Sequence, residues 1–125
     1  MSGAKILIVD DEAVIALDLT MRLTSLGYTI TGQAFSGEEA IEMARESQPQ
    51  VVLMDVGLAG KMTGVEAAKV ISDQLDIPIL YITGTSEKAL KSSLEQANIA
   101  HRYSYIIKPF TEEQLDEEIQ ALLGG

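Results

Sequence analysis

Five apolar runs rich in β-branched residues punctuate the chain, at residues 5–9, 28–34, 51–54, 77–82 and 103–107, and a segment of helical length separates each from the next. These runs are nearly continuously apolar and do not alternate with polar residues. Such a pattern suits strands buried on both faces, and a parallel sheet covered by helices on each side provides that burial. The prediction is a doubly wound (βα)5 α/β fold, and the 125 residues are expected to form one domain, 1–125.

The proposed helix starts carry side chains able to satisfy free backbone N–H groups. Ser36 with Glu39, Thr63 with Glu66, and Thr111 with Gln114 each have capping-box spacing. Gly27 follows the first helix where a left-handed C-cap belongs, and Pro49 interrupts the chain before the third strand. On a helical wheel Ile15, Leu19, Leu23 and Leu26 share one face of the first helix, the expected core side. Val14, Leu17 and Met21 fall nearly opposite. They read either as the edge of a broad buried stripe or as an exposed docking patch.

Composition removes several function classes. There is no cysteine and one histidine, His101, so disulfides, thiolate metal sites and a self-contained zinc site are excluded. His101 itself reads as a solvated loop residue. A formal net charge of −10 disfavours nucleic acid and anionic lipid, whose recognition depends on clustered Lys and Arg. No apolar run reaches the roughly 20 residues of a membrane helix, and a cytoplasmic location is expected.

In an open parallel sheet, ligands bind beyond the carboxyl ends of the strands. Those ends carry Asp10, Asp11 and Glu12 after the first run, Asp55 after the third, Thr83 and Gly84 after the fourth, and Lys108 with Pro109 after the fifth. Taken singly, these are a helix cap, a loop carboxylate, a strand-end hydroxyl and a surface charge. Their placement at matching strand ends argues instead for one site. Carboxylates about 4 Å apart repel by roughly 4 kcal/mol at an effective dielectric near 20, so a counter-charge is needed. A hard divalent cation such as Mg²⁺ answers that need, with Asp10, Asp11 and Asp55 and the backbone carbonyl of Gly57 as ligands. Asp55 could then attack phosphorus through a free carboxylate oxygen, with Lys108 and Thr83 engaging other phosphoryl oxygens and Gly84 leaving the approach open.

The segments Ile6-Leu-Ile-Val-Asp10-Asp11-Glu12, Val52-Leu-Met-Asp55, Tyr81-Ile-Thr83-Gly84 and Tyr105-Ile-Ile-Lys108-Pro109-Phe110 resemble the receiver domain of response regulators across essentially the whole chain. The resemblance implies a flavodoxin-like sheet of order 2-1-3-4-5, Asp55 as phosphoacceptor, Thr83 and Tyr105 as the switch pair, and a cis Lys108–Pro109 bond. It also implies a two-component or phosphorelay role. The donor would be a sensor histidine kinase or histidine phosphotransfer protein docking on the first helix, through Val14, Leu17 and Met21. The fourth helix, fifth strand and fifth helix would form the surface offered to a downstream protein target, with homodimerisation on activation as a further expectation. The acidic last helix reads otherwise as a solvated face. The loop after Asp55 departs from the family pattern, with Ala59 where proline is common and one extra residue before Gly64.

Three rivals share parts of this pattern. A flavin carrier needs a first loop that wraps phosphate, and Asp10-Asp11-Glu12 would repel it. An aspartyl phosphatase would carry its nucleophile after the first strand, not the third. A receiver-fold binding module that works without phosphorylation is separated from the switch only by a phosphorylation assay.

Overall fold

The computed structural model describes residues 3–58, 60–99 and 102–124, so the expectations for Ala59 and His101 lie outside the described residues. Strands and helices alternate in the order β1 (Lys5–Val9), α1 (Ala13–Ser25), β2 (Thr29–Ala34), α2 (Gly37–Ser47), β3 (Val51–Asp55), α3 (Gly64–Leu75), β4 (Ile79–Thr83), α4 (Glu87–Gln96), β5 (Tyr103–Ile107) and α5 (Glu112–Gly124). The five strands form one sheet of order β2-β1-β3-β4-β5, with every neighbouring pair parallel. Strand order reverses between β1 and β3, which places a crevice beside the ends of those two strands.

The period of two along each strand divides the core. Leu7, Val9, Val52, Met54 and Tyr81 face α2, α3 and α4, while Ile6, Ile8, Leu53, Leu80 and Ile82 face α1 and α5. Every residue of β3 and β4 is buried, as continuous apolar runs require. On the α4 side Tyr81 is fully buried and meets Tyr103 edge-on, with ring centroids 5.7 Å apart.

Local sequence signals explain the boundaries. Gly27 has φ +97° and closes α1: its N–H donates to the Thr24 carbonyl at 3.0 Å and the Tyr28 N–H to the Leu23 carbonyl at 3.1 Å, a Schellman arrangement. Tyr28 thereby belongs to the helix cap, and β2 starts one residue later than the apolar run. Its hydroxyl donates to Asp116 and accepts from Gln120 Nε2 at 2.7 Å, which ties the β2 edge to α5. Thr63 with Glu66 and Thr111 with Gln114 form reciprocated capping boxes. The Ser36 hydroxyl caps the Glu39 N–H as expected, but the Glu39 carboxylate accepts from Phe35, one residue earlier than the box pattern predicts.

On α1 the fully buried residues are Ala16, Leu19 and Leu23, whereas Ile15 and Leu26 are only partly buried against that core. Val14, Leu17 and Met21 are 79%, 54% and 63% exposed, so they are not the edge of a buried stripe. Among the described residues, no helix is long and apolar enough to cross a membrane.

Candidate functional site

The carboxyl ends of β1, β3, β4 and β5 converge on one cleft of about 380 Å³, lined by Asp11, Glu12, Asp55, Val56, Gly57, Thr83, Gly84, Thr85 and Lys108. Asp10 follows β1 directly, and its N–H donates to the Ala34 carbonyl at 3.0 Å, so sheet pairing fixes its backbone. Its side chain is buried, and Oδ1 accepts from the Glu12 N–H at 2.9 Å. Asp55 closes β3, is buried, and accepts from the Gly57 N–H through Oδ1 at 3.0 Å. The next residue is pinned in turn, because the Val56 N–H donates to the Ile82 carbonyl at 3.0 Å.

One carboxylate oxygen from each of Asp10, Asp11 and Asp55 lies within 4.8 Å of the other two. Burial pushes the Asp10 carboxyl above its ordinary range; the charges of Asp55 and Asp11 add to that shift, while the Glu12 N–H and Lys108 oppose it. A group of three acids, two of them buried, is unfavourable by itself. Its donors are all hard oxygens, the chemistry Mg²⁺ selects, so the residues fit that ion. Gly57, whose carbonyl is the expected fourth ligand, lines the same cleft.

Two other expected residues join the carboxylates. Thr83 is buried at the end of β4, and the Lys108 N–H donates to the Thr83 carbonyl at 2.8 Å, continuing the β4–β5 ladder to the rim. The Lys108 side chain is exposed and lines the cleft, and the Lys108–Pro109 peptide is cis as expected. A Cβ built on Gly84 would meet nothing within 4 Å, consistent with an open approach.

Tyr105 lies outside the cleft. Register pairs Tyr81 with Tyr105 and Thr83 with Ile107, so Tyr105 shares a sheet face with Thr83, one step diagonally away. It is half-buried against the α4-side core, and the Glu87 carboxylate at the start of α4 raises its pKa. Glu87 also pairs with Lys91 at 2.8 Å.

Three features were not anticipated from the sequence. The Thr83 hydroxyl is already engaged, accepting from the Thr85 N–H at 3.0 Å and sharing a hydroxyl–hydroxyl bond with Thr85 at 2.8 Å. The Thr-Gly-Thr spacing was the available signal, since a hydroxyl can bond the backbone two residues on. Gly64 starts α3 against the end of β3, where a Cβ would stand 2.3 Å from the Asp55 carbonyl oxygen. Finally, a groove beside the cleft runs between α1 and the segment after β5, lined by Ile15, Asp18, Leu19, Arg22, Lys108, Pro109 and Phe110.

Comparison with known proteins gives this geometry a family. The model of the response regulator receiver domain matches residues 6–120. The transcriptional regulatory protein PdtaR of Mycobacterium tuberculosis is 37% identical over 86% of this chain and 50% of its own length. The response regulator GacA of Pseudomonas aeruginosa is 34% identical over 97% of this chain and 56% of its own. The chain thus spans about half the length of these curated relatives.

Among solved structures, the receiver domain of sensor histidine kinase PA1611 from Pseudomonas aeruginosa superimposes with a TM-score of 0.84 at 28% identity, covering 98% of this chain and 99% of that one. That structure has a magnesium ion coordinated in its active-site cleft. A response regulator receiver protein from Sinorhizobium medicae gives a TM-score of 0.82 at 30% identity, covering 98% and 96% of the two chains. With sequence, topology and acidic cleft in agreement, the chain belongs to the response regulator receiver domain family of two-component signalling.

Proposed function

We propose that this domain accepts a phosphoryl group from a phosphohistidine onto Asp55 and, in doing so, switches the surface formed by α4, β5 and α5. The observation that carries the reading is the cluster of three carboxylates with oxygens within 4.8 Å, sharing a rim with Thr83 and Lys108. The Gly57 N–H engages Asp55 Oδ1, which leaves Oδ2 as the attacking atom. A bond forms from that oxygen to phosphorus as the bond from phosphorus to the donor imidazole nitrogen breaks.

Positioning and charge neutralisation suffice for such a transfer. Lys108 offsets the charge of one phosphoryl oxygen and the Thr83 hydroxyl donates to another. Asp10, Asp11, Asp55 and the Gly57 carbonyl would hold Mg²⁺, which when bound neutralises phosphoryl charge beside Asp55.

The donor is a sensor histidine kinase or a histidine phosphotransfer protein. Its docking surface is α1, where Val14, Leu17 and Met21 are exposed beside the groove that reaches Lys108. A downstream protein target reads the switched face, on which activation-dependent homodimerisation is also proposed. The acidic domain contacts neither nucleic acid nor membrane, and it acts in the cytoplasm.

Incubation with acetyl phosphate, and separately with beryllofluoride, tests the reading. Mg²⁺-dependent, base-labile labelling of the parent and none of Asp55→Asn is expected, because the amide has nearly the same shape but no nucleophilic oxygen. Equal labelling of both chains would remove Asp55 from this role.

A further inference from the structure

The hydroxyl that must reach a phosphoryl oxygen is already held by its neighbour. Thr83 Oγ1 accepts from the Thr85 N–H at 3.0 Å and bonds the Thr85 hydroxyl at 2.8 Å. Two residues further on, Glu87 opens α4 as an electrostatic neighbour of Tyr105, and Lys91 braces its carboxylate at 2.8 Å. Between them Ser86 caps α4 by accepting from the Ala89 N–H at 3.2 Å, which fixes the backbone from which both residues project. One short connection therefore bonds Thr83 at one end and brings Glu87 into the electrostatic surroundings of Tyr105 at the other.

We propose that Thr85 and Glu87 are positioning residues that form a resting-state latch. Thr85 withholds the Thr83 hydroxyl from Asp55, Glu87 holds Tyr105 against the first turn of α4, and switching requires both contacts to break. The proposal rests on Asp55 as the phosphoacceptor for the stimulus, but the latch itself is a property of the resting chain. Phosphoryl oxygens attract the Thr83 hydroxyl more strongly than a neutral hydroxyl does, since hydrogen bonds to charged groups are the stronger class. The latch therefore sets a threshold that a charged acceptor at Asp55 overcomes. Only contacts that differ between the two states can shift their balance, and these two do.

NMR of the parent, Thr85→Val, Thr85→Ser and Glu87→Ala, each with Mg²⁺ alone and with Mg²⁺ and beryllofluoride, tests this through shifts at Tyr105 and along α4. Valine keeps the shape and the backbone N–H bond but removes the hydroxyl. Loss of one neutral hydrogen bond should raise the switched-to-resting ratio roughly two- to tenfold. Thr85→Ser should restore the parent ratio, a rescue that a merely structural role would not produce. Glu87→Ala should raise the ratio by less, because exposed charged contacts contribute little.

A Thr85→Val ratio equal to or below that of the parent, or a serine variant that behaves like valine, overturns the latch. A parent that takes up no beryllofluoride overturns the phosphoacceptor reading instead. The spectra with Mg²⁺ alone then still decide the latch, by the presence or absence of the Thr85→Val shift at Tyr105.

Discussion

Replacing Asp10 with asparagine should stabilise the metal-free domain while weakening its hold on Mg²⁺. Asp10 is buried, and its carboxylate lies within 4.8 Å of oxygens on both Asp11 and Asp55. At that separation and an effective dielectric near 20, 332/(20 × 4.8) gives about 3.5 kcal/mol of repulsion for each pair. Asparagine removes both repulsions and the cost of burying the charge, yet its Oδ1 can still accept from the Glu12 N–H. The attraction to Lys108 is lost and screening reduces every term, so the net gain expected is on the order of 1–3 kcal/mol. For a chain of this size each kcal/mol corresponds to roughly 3–5 °C in Tm.

The gain should also depend on pH. In the folded state the Asp10 pKa is raised, so ionised Asp10 destabilises the fold above that raised value, and the penalty fades as pH falls through it. The advantage of asparagine is therefore full near neutral pH and shrinks in acid. Saturating Mg²⁺ should narrow or invert the order, because a ligand at 100 times its Kd adds about 2.7 kcal/mol to the parent and less to a variant lacking one of its oxygens. Urea titrations with and without Mg²⁺, at neutral and acid pH, measure all of this. A variant no more stable than the parent in chelator, or equal stabilisation of both by Mg²⁺, would refute the reasoning.

Gly64→Ala should cost about 1–3 kcal/mol and slow acetyl phosphate labelling, since its Cβ would press on the Asp55 carbonyl; urea unfolding and labelling at one Mg²⁺ concentration check both effects. Leu17→Asp should impair transfer from a cognate phosphohistidine protein while leaving acetyl phosphate labelling nearly unchanged, and parallel loss in both assays would remove Leu17 from the interface. Thr83→Ala should still accept a phosphoryl group but lose a bond worth about 1.5–3 kcal/mol to the switched state. Identical beryllofluoride-induced NMR shifts at Tyr105 in that variant and the parent would exclude Thr83 as the coupling residue.

The fold was legible because its signals are local and redundant. Continuous apolar strands, three capping sequences and Gly27 each indicate the same alternation, and two of the strands, β1 and β5, have the boundaries the apolar runs predict. The misses at strand starts have a common cause: apolarity reports burial, not pairing. Ile77 is buried yet precedes β4, and Pro78 has no N–H to donate to a ladder; Tyr28 is buried yet serves the α1 cap. The rim was legible because one residue at each strand end sufficed to place it. Contacts among its members were not, because the Thr83–Thr85 bond and the approach of Gly64 to Asp55 depend on backbone geometry after the strands.

The placement of the aromatic residues gives this domain an optical reporter of its own. It contains no tryptophan and four tyrosines, so its near-ultraviolet emission is tyrosine emission alone. Tyr28 donates its hydroxyl to the Asp116 carboxylate, an arrangement that quenches the phenol. The other three stand on β4 and β5: Tyr81 is sealed in the interior, Tyr103 lies edge-on to it, and Tyr105 shares their face of the sheet within the influence of the Glu87 carboxylate. Rotation of Tyr105 away from Glu87 would release one phenol from a carboxylate while changing its distance to the other two. Intensity and anisotropy of the unlabelled protein would then follow the state of this face in real time.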